Sequence, residues 1–197
     1  MNKTVILDCG HGGEINGVYQ TSGKRSPIWD DGTQYFEGVG NRQIVHAASQ
    51  YLERLGWTVL YTVHPSDPSD VTLSQRIKIS NSHYIRYPDA FQISVHSNGF
   101  SKESANGYEV FTSKGQTKSD KIASIWIEEQ KKAFPDLNNR GHKEANFAMN
   151  RVHCPSILIE SMFHTNEKEC RILMSREGRE KIAIALVETC ERVHDTL

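Results

Sequence analysis

Two histidines and a glutamate each stand at the end of a short apolar run. His11 follows Thr4-Val5-Ile6-Leu7-Asp8-Cys9-Gly10, His96 follows Phe91-Gln92-Ile93-Ser94-Val95, and Glu160 follows Ser156-Ile157-Leu158-Ile159. Short apolar runs bounded by polar residues or glycine read as buried strands, and in an open α/β sheet ligands sit beyond the carboxyl ends of the strands. Residues far apart in the chain therefore converge at one sheet edge. Two imidazoles and a carboxylate there suit hydrolytic zinc chemistry, because catalytic zinc takes three protein ligands and keeps a fourth position for water. A lone histidine is more often a hydrogen-bonded structural residue, so the convergence carries the argument.

The elements that must position these residues alternate in type along the chain. Residues 39–55 place Val39, Ile44, Ala47, Ala48, Tyr51, Leu52 and Leu55 close to helical spacing, with Gly56 as a stop. Residues 57–63 read as a strand, and Thr72 as N-cap opens a helix with Leu73, Ile77, Ser80 and Tyr84 along one face. Beyond His96, residues 107–112 read as a strand, 119–134 as an amphipathic helix ended by Pro135, 147–152 as an edge strand and 176–193 as a C-terminal helix. This alternation predicts an α/β fold: a single-domain, open, largely parallel twisted sheet with helices on both faces. The 197 residues show no internal repeat and no long linker, so one domain over residues 1–197 is expected.

Composition excludes other classes. The net charge is -1, without the clustered basic excess of a nucleic-acid binder. Met1-Asn2-Lys3 runs straight into a strand, so neither a signal peptide nor membrane insertion is expected. Cys9, Cys154, Cys170 and Cys190 lack CxxC spacing and read as free thiols of a protein made in a reducing compartment. The irregular residues 14–36 carry Tyr19, Trp29, Tyr35 and Phe36, which suits a packed or substrate-facing loop.

Five ordered segments then match a known pattern: residues 6–13 (Ile-Leu-Asp-Cys-Gly-His-Gly-Gly), residues 37–41, Ser94-Val95-His96-Ser97-Asn98, residues 140–147 and residues 157–166. Together they resemble the zinc-dependent N-acetylmuramoyl-L-alanine amidases of the amidase type 3 family, over essentially the whole chain. The resemblance implies that His11, Glu37 and His96 bind Zn2+ and that Glu160 is catalytic. It implies hydrolysis of the amide between N-acetylmuramic acid and L-alanine in peptidoglycan, with glycan strand and stem peptide as the bound partners. The chain departs from the family pattern at Cys9, where proline is usual, and in a longer loop between His11 and Glu37. Glu14 on that loop competes with Glu37 for the ligand role, and Glu37 could instead serve as a favourable charge at a helix N-terminus.

The residues support the same division of labour. Zinc lowers the pKa of water to roughly 7 and withdraws charge from a carbonyl oxygen, while a carboxylate beside it moves the proton. Glu160 ends a strand at the right edge, and burial would raise its pKa toward neutrality. Gly10, Gly12 and Gly13 would let backbone approach metal and substrate closely. Arg140, His142 and Lys143 could face a peptide carboxylate or form a solvated turn, and Asn98 and Asn166 could orient the site or serve turns. His46, His64, His83, His153 and His194 lack ligand spacing. Alternative readings are a zinc carboxypeptidase or deacetylase, a wall-binding module without turnover, and a cysteine hydrolase using Cys9 or Cys154. With no export signal and no separate wall-binding domain expected, the chain would be made in the cytoplasm. It would reach the wall on lysis or by another route, as a phage endolysin or an autolysin does.

Overall fold

The computed structural model describes residues 3–196. In chain order the elements are β1 (Thr4–Cys9), a small hairpin of β2 (Glu14–Ile15) and β3 (Val18–Tyr19), α1 (Glu37–Arg54), β4 (Thr58–Tyr61), α2 (Leu73–Arg86), β5 (Phe91–Asn98), β6 (Tyr108–Thr112), α3 (Lys118–Ala133), β7 (Asn139–Glu144), β8 (Ser156–Phe163), α4 (Glu167–Met174) and α5 (Arg176–Thr196). Six strands form one sheet in the order β4-β1-β5-β8-β6-β7. Strands β4, β1, β5 and β8 run parallel; β6 lies antiparallel to β8, and β7 runs parallel to β6.

The sheet has helices on both faces, as the alternation of elements requires. Successive side chains of a strand point to opposite faces. Val5, Leu7 and Cys9 of β1 and Phe91, Ile93 and Val95 of β5 enter the main core with Ile44 and Val45 of α1, Trp126 of α3 and Leu186 of α5. The intervening Ile6 turns to the other face, where it meets Ala90, Cys154 and the ring of Tyr84 on α2. Strand β1 is buried along its whole length because both faces are covered. Among the described residues no helix is long and apolar enough to cross a membrane.

Local chemistry sets the helix starts. Thr72 and Gln75 form a reciprocal capping box at α2, and Thr117 and Asp120 do the same at α3. Asn166 caps α4 by accepting from the Glu169 N–H, which assigns it a capping role away from the site. This short helix has no counterpart among the sequence expectations, because an eight-residue segment offers too little periodicity to read.

Two expectations are corrected. Residues 147–152 form a 3-10 turn at Ala148–Asn150 rather than an edge strand. The edge strand at that end of the sheet is β7, whose exposed and half-buried polar residues hid it from hydrophobic patterning. On α2, Leu73 is exposed, and the buried positions are Arg76 and Ser80. A face built around an arginine does not register as apolar.

Of the two readings of residues 14–36, packed or substrate-facing, the aromatic rings follow the packed one. Trp29 and Tyr35 belong to the main core, and the Trp29 indole N–H points to Cys170 Sγ at 3.3 Å. Tyr19 packs on Phe36 and accepts at its hydroxyl from the Gly38 N–H at 2.9 Å. The aromatic residues thus fasten the loop instead of presenting rings to a substrate. Trp29→Ala should cost about 3–5 kcal/mol of stability, the usual loss for a truncated buried aromatic. Urea denaturation would measure it, and a loss below about 1 kcal/mol would contradict the packing role.

Candidate metal centre

His11, Glu37 and His96 meet at the carboxyl edge of the parallel strands, with one ligand atom from each inside a 4.8 Å cluster. His11 lies just past β1, Glu37 is the first residue of α1, and His96 stands near the end of β5. The Glu37 carboxylate is buried; its Oε1 lies 3.0 Å from His96 Nδ1 and 3.3 Å from His11 Nε2, and accepts from the Ser97 N–H at 3.3 Å. Burial alone would raise its pKa, but the two imidazoles outweigh that and hold it well below the ordinary carboxylate range. A carboxylate so engaged does more than decorate a helix N-terminus. Glu14 is exposed on β2 and takes no part in the cluster.

The backbone around His11 is specialised for this meeting. Gly10 passes so close to the His96 ring that a Cβ there would lie 2.2 Å from its Cε1. The close approach that glycine permits at this position is therefore to a neighbouring imidazole, within the protein. His11 itself has φ 65°, an unfavourable conformation for a side-chain-bearing residue. Its carbonyl oxygen accepts from Arg42 Nη1 at 2.8 Å and from Arg76 Nη2 at 2.9 Å. Arg76 also donates to the Cys9 carbonyl and pairs with Asp8 at 2.9 Å, both side chains almost wholly buried. Asp8 is completed by the hydroxyls of Thr62 and Ser94.

Glu160 is the cross-strand partner of His96 on one side and of Glu109 on the other. Paired positions share a face, so these three residues form a row on the α2 side of the sheet. Glu160 Oε2 is buried with no hydrogen-bond partner among the described residues. Burial, opposed by His96 and reinforced by the charges of Glu37 and Glu109, pushes its carboxyl up to about 8. His11, Glu37, His96 and Glu160 all line one cleft of about 530 Å³. This is the convergence that the three strand-end motifs imply.

Other candidates separate cleanly. Cys9 faces the main core with its thiol toward the Val63 carbonyl, and burial pushes its pKa up to about 12. Cys154 is buried too, its thiol pushed up to about 11. Neither can act as a thiolate nucleophile near neutral pH. All four cysteines are free. Asn98 lines the cleft and donates to Glu109 Oε1 at 2.6 Å. His46, His64, His83, His153 and His194 lie outside the cluster.

Sequence reasoning missed Asp8, Arg42 and Arg76, whose signal was only a charged residue inside an apolar strand and arginines on helix faces. It also missed His164, a buried neighbour of the cleft whose Nδ1 lies 3.0 Å from the Ser97 carbonyl. Burial lowers the pKa of His164, keeping it neutral.

This is an α/β protein with a candidate mononuclear metal centre at the carboxyl edge of its sheet. The chain belongs to the amidase type 3 family, described as N-acetylmuramoyl-L-alanine amidase, and matches it over residues 5–192. It is 28% identical over 188 residues to the probable cell wall amidase LytH of Staphylococcus saprophyticus, which covers 95% of this chain and 57% of that protein. The chain thus spans little more than half the length of LytH. It is also 28% identical to the uncharacterized protein YqiI of Bacillus subtilis, over 98% of this chain and 85% of that one. Among solved structures, the CwlD amidase of Clostridioides difficile, determined in complex with the GerS lipoprotein, is 27% identical with a TM-score of 0.77 and full coverage of both chains.

The Asp8 pair generates a pH prediction. Arg76, Ser94 and Thr62 together outweigh burial and depress the Asp8 pKa. A depressed carboxylate contributes stability that is present above its unfolded pKa, near 3.9, and is lost as pH falls below that value. Asp8→Asn should therefore cost about 3–5 kcal/mol at pH 7, by stranding the Arg76 charge. Denaturation curves should show this difference shrinking as pH drops below about 4; a constant difference across that range would refute the pairing.

Proposed function

We propose that the protein is a zinc-dependent N-acetylmuramoyl-L-alanine amidase that cuts the amide between the lactyl group of N-acetylmuramic acid and L-alanine in peptidoglycan. The observation that carries this reading is one cleft, in a chain of this family, holding the His11-Glu37-His96 cluster beside the carboxyl group of Glu160. The likeness to a probable cell wall amidase and to the CwlD amidase supports the same substrate class.

The residues fit a zinc ion. Two imidazoles and a carboxylate within 4.8 Å are a catalytic zinc donor set, and the partnerless Glu160 Oε2 is a buried acceptor left for a reacting group. His11, Glu37 and His96 would hold the metal, which supplies Lewis acidity toward water and the amide carbonyl.

The remaining work falls to the chain's own groups. Glu160, with its carboxyl near neutrality, takes a proton from the attacking water and returns it to the departing alanine nitrogen. Its pairing with His96 on the neighbouring strand sets that carboxyl beside the cluster. The His11 main chain, held by Arg42 and Arg76, keeps the first imidazole aimed at the cluster.

His96→Ala should lose zinc and activity together, as read by elemental analysis and a peptidoglycan release assay. Glu160→Gln should retain zinc while turnover falls by a factor on the order of a hundred to ten thousand. Zinc loss in that variant would instead make Glu160 a ligand.

The bond itself is tested by mass spectrometry of digested peptidoglycan. The expected products are stem peptides with a free alanine amino group and glycan strands with bare lactyl carboxyls. Release of a terminal amino acid would indicate a carboxypeptidase, and release of acetate a deacetylase. A zinc-loaded, folded protein that frees no new termini would leave only a wall-binding role.

A further inference from the structure

Past Asn98 and Phe100 the main cleft continues into a second hollow of about 420 Å³, which those two residues share with it. Arg140, Glu109, Phe163 and Lys102 also line this hollow. The Arg140 guanidinium lies over the Phe163 ring at 4.9 Å, and its Nε donates to Glu109 Oε2 at 2.6 Å. Among the described residues Nε is the only Arg140 nitrogen so engaged, which leaves both Nη groups without a protein partner. A guanidinium fixed by a ring and a carboxylate, with its terminal fork open, is pre-organised to receive a carboxylate through two parallel hydrogen bonds.

The neighbouring basic residues are disposed differently. Lys143 is directed at Glu109, and His142 at Thr112 Oγ1 and Asp120. The pairing of β6 with β7 shifts register between Tyr108 and Val110, whose partners are Asn139 and His142, so Arg140 and Gly141 both fall opposite Glu109. Gly141 takes φ 81° there. Such irregularities commonly re-aim a side chain beside an active site.

We propose that Arg140 is the recognition residue of a subsite for a free carboxylate of the stem peptide, on the leaving-group side of the scissile amide. This rests on the amidase reading above. In uncut substrate the lactyl carboxyl is tied up in the amide and the sugars are neutral, so the available carboxylates belong to the peptide. Glu160 on β8 and Arg140 on β7 are separated by two strand spacings, about 10 Å. Two or three residues of extended peptide span that distance. Exposed Lys102 adds positive charge at the mouth of the hollow.

The test compares two soluble muramyl peptides, one with free side carboxylates and one with those carboxyls amidated. The wild type should favour the free acid in kcat/KM by at least tenfold, mostly through KM. In Arg140→Gln that ratio should collapse toward one, and Arg140→Lys, which keeps the charge facing Glu109 but lacks the fork, should fall between. Calorimetric titration of the corresponding free peptides reads the subsite without turnover, and Arg140→Gln should bind the acid peptide at least tenfold more weakly. Far-ultraviolet circular dichroism and the zinc content of each variant establish that the fold persists. A wild-type ratio near one, or a ratio and an affinity unchanged in folded Arg140→Gln, would overturn the proposal. If neither substrate is cleaved, the amidase reading fails, while the titration still decides whether Arg140 binds carboxylate.

Discussion

The carbonyl oxygen of His11 takes hydrogen bonds from two buried guanidinium groups, and the geometry of the cleft follows from that junction. Arg76 reaches it from α2 and Arg42 from α1, so one backbone atom joins the end of β1 to both faces of the sheet. The same two side chains collect carbonyls from the connection before α2, with Arg42 accepted by Asp67 and Ser69 and Arg76 by Val71. A left-handed residue costs roughly 1–2 kcal/mol, and charged hydrogen bonds of about 1.5–3 kcal/mol each can offset it. A buried guanidinium in turn needs a counter-charge, and Asp8 supplies it for Arg76 from within the strand that leads to His11. The polar network under the site is thus continuous with the strand that delivers its first histidine.

The alternation of side chains along β5 and β8 does the rest. Ile93, Val95, Ile157 and Ile159 anchor these strands in the main core, which turns Ser94, His96, Leu158 and Glu160 to the opposite face. Along the resulting row, two adjacent carboxylates experience contrary surroundings. Glu109 is met by Arg140, Lys143 and Asn98, and despite burial the two cations, Lys143 and Arg140, hold its pKa below the ordinary value. Among the described residues Glu160 has no such cations within hydrogen-bonding reach, and burial raises it. Neighbouring carboxylates whose environments drive their pKa values apart can divide roles, one as a fixed charge and one as a proton carrier.

Much of the fold was legible because its signals are local or periodic. The apolar runs of β1, β5 and β8 read as strands, and Thr72 and Gly56 marked the ends of helices with physical reasons attached. Convergence of His11, His96 and Glu160 followed from strand ends and the rule for parallel sheets. Elements whose stability is tertiary were illegible: β7 is a polar edge strand, and α4 is too short to show a period. Trp29 and Tyr35 left the loop open between packing and facing substrate, because aromatic composition cannot tell a ring that packs inward from one that faces a cleft.

The sequence by itself determined which side chains could do the chemistry and which strands would carry them, since residue type, strand period and strand end are all written along the chain. Only the tertiary structure brought Glu37 rather than Glu14 to the two histidines, buried the Cys9 thiol away from the cluster, and left the Arg140 fork open while directing Lys143 at Glu109. It also recruited Arg42 and Arg76 to hold the His11 carbonyl. Each of these outcomes depends on desolvation and on partners tens of residues away. Neither is a property of local sequence: a charge is placed by what surrounds it after the chain has folded.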